Sequence, residues 1–197
     1  MHELRWSTRQ EEIITRTMEL IQRGGLSHVT MKRIGELVGV SDAALYRHFP
    51  TKQALLEGVM DRVGALVVEP VRALARDPEL TPEERLERAL MHHVEVILDT
   101  DGLPILLLVE ASASGEEAIL ERLGGVVRRY LDLLEQLCAA LPRSADRPSA
   151  ADLALLCMGI PAAVAIRHRL MPDPAAERRL VSRLVPFLVG RLGGESR

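Results

Sequence analysis

Several things are scarce in this chain, and each shortage narrows its fold. Aromatic side chains make up 3% of its 197 residues. A β-sandwich enriches aromatic and β-branched residues, so the 47% hydrophobic content, carried by Leu, Val, Ala and Ile, points to helical packing. Lysine occurs only at Lys32 and Lys52, asparagine is absent, and arginine supplies nearly all positive charge. The two cysteines, Cys138 and Cys157, both fall in apolar helical patterns, where buried, reduced thiols of an intracellular chain are expected rather than a disulfide. The opening MHELRWSTRQEEIITR has no apolar core of a secretory signal. The longest strongly apolar run, LALLCMGIPAAVAI at residues 153–166, lies between Asp152 and Arg167 and contains Pro161. A membrane span needs about 20 residues, so this run is expected to be a buried helix of a soluble, cytoplasmic protein. GxSxG, HExxH, P-loop and GxGxxG motifs are all missing, which argues against an enzyme of those classes. The ASASGEE at residues 111–117 has no strand before it to make a nucleophile turn.

Charge is unevenly placed. Residues 1–52 hold eight Lys/Arg against six Asp/Glu, whereas residues 53–197 hold seventeen against twenty-two. A slightly basic head on an acidic body suits a chain whose head alone meets a polyanion.

Caps and breakers divide the chain into about nine helices with no strand signal. Thr8 with Glu11 forms a capping-box pattern for a helix ended by Gly24-Gly25. Thr30 caps a second helix that stops at Gly39, and Ser41 caps a short third one that Pro50 ends. Thr51 opens a long helix in which Pro70 predicts a kink. TPEE at 81–84 starts another, Asp101-Gly102 is a turn, and Ser114 is expected to cap a helix running to about residue 141. Ser149-x-x-Asp152 begins the next, PRSADRPS before it reads as a surface loop, and MPDP at 171–174 precedes the last.

Within TMKRIGELVGVSDAALYRHFPTKQALL, two short helices meet at Gly39-Val40-Ser41. Ile34, Leu37, Val40, Leu45 and Phe49 are placed to hold them together, as in a helix-turn-helix. The second helix would enter the major groove with Ser41, Asp42, Ala43 and Ala44 near base edges. Tyr46, Arg47, His48 and Lys52 are phosphate-contacting types, and the helix N-termini at Thr30, Ser41 and Thr51 offer amide donors. Spacing alone also fits an ordinary helical hairpin with a solvated face.

This stretch, with the long helices before and after it, resembles the N-terminal domain of the TetR/AcrR family of transcriptional repressors over residues 8–60. The threonine cap, G-V-S, L-Y-x-H-F and the following lysine carry the resemblance. It implies that Thr30, Tyr46, His48 and Lys52 grip backbone phosphates, while Lys32, Asp42 and Ala43, with Ala44 beside them, face bases. Asp42 and Ala44 depart from the residues common in the family, so the operator is not readable from them; Asp42 can also serve as a helix N-terminal charge. The segment VSDAALYRHFPTK further resembles that of TetR-like nucleoid occlusion factors, a structural alternative acting on DNA without a small ligand.

The resemblance implies an all-α protein: residues 1–52 a helix-turn-helix DNA-binding domain, residues 53–197 a helical effector-binding and dimerisation domain. It implies a homodimer joined through the last two helices, compatible with residues 153–166 and the Leu180, Leu184, Leu188, Leu192 stripe, which could equally be internal core. It implies a ligand-responsive repressor on a palindromic operator, with no cofactor and no metal. Helical phase nominates Leu66, Val67, Leu106, Val109, Val127 and Leu131 for an effector pocket, with Glu110 as its polar member. Such an aliphatic lining favours an apolar or acyl-chain effector. His92 and His93, adjacent on a helix, point about 100° apart and do not share a metal ion easily.

Overall fold

The structure, a computed structural model, describes residues 6–115, 117–142 and 148–193. Among these residues there are nine α-helices, one 3-10 turn and no strand. The helices are α1 (Thr8–Gly24), α2 (Met31–Val38), α3 (Asp42–His48), α4 (Lys52–Ala75), α5 (Pro82–Asp99), α6 (Leu103–Ser114), α7 (Glu117–Ala140), α8 (Ala150–Leu170) and α9 (Pro174–Gly193); the 3-10 turn Leu26–His28 joins α1 to α2. The all-α class expected from composition is therefore observed.

Local signals explain most boundaries. Thr30 Oγ accepts from the Arg33 amide at 3.2 Å and starts α2; Gly39, left-handed at φ 73°, ends it. Thr81 and Glu84 form a reciprocal capping box at α5, as do Ser149 and Asp152 at α8. The first cap is shifted by one residue from its expected place. Ser7, paired with Gln10, caps α1, so Thr8 is already helical. Ser114 is the last residue of α6 rather than a cap for α7, so only the ASAS of the ASASGEE segment is in α6. Most of the PRSADRPS loop lies outside the described residues.

The chain forms two compact units, one of residues 1–63 with 106–123, the other of residues 64–105 with 124–197. The division falls within α4, α6 and α7, and so differs from a linear split at residue 52. Two links account for the difference. Glu110 of α6 accepts the Leu26 amide, and Arg122 of α7 bridges Glu57 and Asp61 of α4 at 2.8 Å each.

In the first unit, Ile13, Ile14, Thr17, Met18 and Ile21 of α1 pack with Ile34, Leu45, Phe49, Leu55 and Val59. In the second, α5 packs against α8 and α9. Glu177 of α9 is wholly buried and accepts from Arg167 at 3.1 Å. His168 places its two ring nitrogens against carboxylates, Nδ1 at 2.7 Å from Glu177 and Nε2 at 3.1 Å from Asp101. The leucine stripe of α9 is not its core face. Val181, Val185 and Val189, one residue on, are buried, while Leu184 stands exposed and Leu180, Leu188 and Leu192 are half-buried.

Expected as a buried helix, α8 is buried on one side only. Leu153, Ala154, Cys157, Pro161, Val164 and Ala165 face the core, whereas Leu155, Leu156, Ile166 and Leu170 are exposed. It is long and apolar enough, by length and composition, to cross a membrane, with a mean hydropathy of 1.7 over 18 residues. Asp152 joins Ser149 in capping its first turn, and the Arg167–Glu177 and His168–Glu177 contacts at its end tie it to α9.

Candidate nucleic-acid interface

Three helices build the site. Ser41 Oγ accepts from the Ala44 amide at 3.3 Å and so starts α3 two residues after the glycine that ends α2. Close approach at this turn depends on Gly35. A Cβ there would lie 3.1 Å from the Val40 carbonyl oxygen and 3.3 Å from Asp42 Oδ1. Leu45 and Phe49 then anchor α3 in the core of the first unit. Leu37 does not join them. It is 41% exposed, because the inward face of α2 is set by Met31, Ile34 and Gly35, and Leu37 lies well around the helix from these.

Two residues of α1, neither singled out from sequence, hold the C-terminal ends of both short helices. Arg9 Nη2 donates to the Val38 carbonyl at 3.1 Å, and Gln10 Nε2 donates to the His48 carbonyl at 3.2 Å. The last carbonyls of a helix lack partners within it, so these bonds satisfy exposed ends and fix α2 and α3 against one support. A polar pair at the start of an otherwise amphipathic helix is the only sequence signal for them.

The expected contact residues fall as follows. Thr30, Lys32, Ser41, Asp42, Ala43, Tyr46 and Arg47 are exposed; Ala44, His48 and Lys52 are half-buried. Tyr46 stands 48% exposed for a large aromatic side chain. Lys32, Arg47 and Lys52 make no ion pair with a described residue, which leaves their charge available to an outside anion. Thr30 and Ser41 use an oxygen lone pair for capping, and each hydroxyl proton remains free to be donated. Asp42 is the first residue of α3, where a carboxylate complements the helix dipole.

The seven residues nominated for an effector pocket are spread over both units. Leu106, Val109 and Glu110 belong to the first, Leu66, Val67, Val127 and Leu131 to the second. Val67 is core, Val109 and Val127 are exposed, and Leu66, Leu106 and Leu131 are half-buried. Glu110, nominated as the polar member of the pocket, instead accepts the Leu26 amide, and a Cβ on Gly25 would collide with its carboxylate. Two clefts of the second unit include none of the seven. His92 Nε2 is 2.8 Å from the Leu66 carbonyl oxygen. His93 packs edge-on against Tyr130 with centroids 4.6 Å apart. Burial, helped by neighbouring His92, lowers the His93 pKa to about 3, and burial pushes the Tyr130 phenol up.

Two short helices crossing at a left-handed glycine, clamped by a third and carrying small residues and unpaired cations outward, define a helix-turn-helix DNA-binding protein. Residues 13–59 match the model for bacterial regulatory proteins of the tetR family, so the chain carries a DNA-binding domain of that family's kind at its N-terminal end. The nucleoid occlusion factor SlmA of Vibrio campbellii is 29% identical over 133 residues, covering 66% of this chain and 67% of that protein. Among solved structures, the MbdR regulator from Azoarcus sp. CIB is 20% identical with a TM-score of 0.73, covering 96% of this chain and 100% of that one. AibR, solved in complex with isovaleryl coenzyme A and operator DNA, is 20% identical with a TM-score of 0.68, covering 91% of this chain and 97% of that one. These structural likenesses establish the shared all-α fold.

Proposed function

We propose that the protein is a cytoplasmic, ligand-responsive repressor that binds a palindromic operator as a homodimer and leaves it when a small effector with an apolar portion binds residues of the C-terminal region. One observation carries the dimer. Among the described residues, seven of the twelve large apolar side chains that stand exposed, Leu155, Leu156, Ile166, Leu170, Met171, Leu184 and Phe187, lie on α8, α9 or the turn between them. Exposed apolar surface concentrated in this way marks an interaction site. A second copy packing through the same two helices gives a two-fold dimer, whose symmetry matches palindromic half-sites. AibR, with its ligand and operator in one crystal, supports a two-site reading of this fold.

In this reading Thr30, Tyr46, His48 and Lys52 hold phosphates while Lys32, Asp42, Ala43 and Ala44 face bases, with Ser41 and Arg47 beside them. Selection of sites from a random duplex pool by the purified protein tests it, and a recovered palindrome is the expected result. Recovery of no sequence above background by ligand-free protein would overturn it.

The likeness to SlmA favours a second reading, a DNA-bound nucleoid occlusion factor without a small ligand. Mapping occupancy over a chromosome separates the two. A few promoter sites fit the repressor, and sites scattered over the whole chromosome fit the alternative.

A further inference from the structure

We propose that the second unit carries a binding site for a small organic anion, one with two or more negative charges at one end and a short aliphatic portion at the other. The site is a cleft of about 260 Å³ walled by α4, α5 and α7. The regulatory consequence of binding there rests on the ligand-responsive reading above; the binding itself does not.

Four arginines line the cleft: Arg72, Arg76, Arg85 and Arg129. Arg72 is neutralised by Glu69 of its own helix at 2.7 Å. The other three form no ion pair with a described residue, and neither does Asp132, the single acid in the wall. The wall therefore keeps a net excess of two positive charges after these groups are matched. Like charges converging from three helices repel one another, and in a chain of net charge −3 carboxylates are abundant elsewhere. Among the described residues the wall supplies only Asp132 against the arginines, which leaves the guanidinium groups for an outside partner.

A second observation points the same way. Arg85 Nε is sealed from solvent and has no hydrogen-bond partner. A buried donor left unmade is costly, more so on a charged group, and Arg85 also sits in the first turn of α5, where the helix dipole disfavours a cation. An anion in the cleft offsets the cost of a cation at this helix start directly, and gives the Arg85 guanidinium an acceptor to turn its unpaired donor toward. The planar fork of a guanidinium matches phosphate and carboxylate oxygens in pairs. Leu133 and Leu137, buried on α7, supply an apolar floor. At roughly 30 Å³ per water-sized group, the volume takes a phosphate-sized head and a short alkyl portion.

The experiment titrates the full-length protein with n-butyl phosphate and, separately, n-butanol by calorimetry at constant ionic strength. The wild type is expected to bind butyl phosphate saturably and butanol not at all. In Arg85→Gln/Arg129→Gln the affinity for butyl phosphate should fall about tenfold or more, the loss of two charge-assisted contacts. The control Arg179→Gln/Arg183→Gln, at a second arginine-bearing cleft on α9, should leave it unchanged. Circular dichroism and the unfolding midpoint confirm that each variant is folded. Absent binding by the wild type, equal affinity in the Arg85/Arg129 variant, or an equal loss in the control overturns the site. If binding is lost in the double variant but saturating butyl phosphate leaves wild-type operator affinity unchanged, the site stands and the ligand-responsive reading falls.

Discussion

Replacing His93 by phenylalanine should remove a pH-dependent fraction of the stability of the protein. His93 is half-buried as a residue, but its Nδ1 is sealed from solvent without a partner and its ring packs edge-on against Tyr130. Its pKa is lowered from 6.5 to about 3, chiefly by burial and secondarily by His92. Below pH 6.5 the unfolded chain takes up a proton at this site and the folded chain does not. Stability is therefore fully present above that pH and is lost as pH falls toward 3. The slope approaches about 1.4 kcal/mol per pH unit, and the linkage relation gives a loss of about 2 kcal/mol between pH 7 and pH 5. Phenylalanine keeps an aromatic ring beside Tyr130 and has nothing to protonate. Urea unfolding of both proteins at pH 7 and pH 5, at one protein concentration to hold any association constant, measures the effect. His93→Phe should lose about 2 kcal/mol less than the wild type over this interval, whatever its stability at pH 7. Equal losses in the two proteins would refute the reasoning, because the remaining histidines and carboxylates titrate alike in both.

Three further outcomes are expected. Tyr46→Phe and Lys52→Ala should weaken binding to all DNA sequences, and Lys52→Ala should lower the slope of log affinity against log salt by about one; unchanged affinity for both removes their phosphate assignments. Phe187→Asp combined with Leu156→Arg should give a monomer in sedimentation, since both side chains are exposed on the apolar face, and a persistent dimer would place the interface elsewhere. Glu177→Ala should destabilise the protein by about 3 kcal/mol in urea unfolding, because it strands Arg167 and His168 beside a buried void, whereas Asp101→Ala, at the exposed end of the same network, should cost less than about 1 kcal/mol.

The helix-turn-helix was legible because its determinants are local. Thr30, Gly39, Ser41 and the apolar positions of α3 lie within twenty residues and act through caps, one left-handed residue and helical phase. Local rules also fail in identifiable ways. Ser7-x-x-Gln10 and Thr8-x-x-Glu11 both fit a capping box, and only the entry of the chain decides that Ser7 takes the role. The α9 leucines share a stripe, yet α9 turns its valines inward, since branched valines fill the seam and the longer leucines reach its margins. The clamps from Arg9 and Gln10 join residues 29 and 38 positions apart, and no periodicity encodes such a pairing. The arginine cleft is illegible for the same reason, as its members come from three helices and each reads singly as a solvated charge.

In the ligand-responsive reading, a change in the second unit would have three covalent routes into the first, because α4, α6 and α7 each cross the division between units. Within the first unit α7 is tied to α4, and α4 and α6 are tied to α1 or the turn after it. Arg122 ties α7 to α4, Arg62 of α4 lies 3.8 Å from Glu11 of α1, and Glu110 of α6 holds the Leu26 amide in the turn that connects α1 to α2. Arg9 and Gln10 then pass the position of α1 to the ends of α2 and α3. Each of these partly exposed contacts is worth about 1 kcal/mol, while couplings between effector and DNA sites typically amount to about 1–3 kcal/mol. On that reading no single contact would be strong enough to be the switch, and two or three shifting together would suffice for a coupling of this size. Glu110 differs from the others in one respect. It grips backbone beside Gly25, where a Cβ would collide with the Glu110 carboxylate, so a displacement of α6 would bear on the backbone of the turn itself.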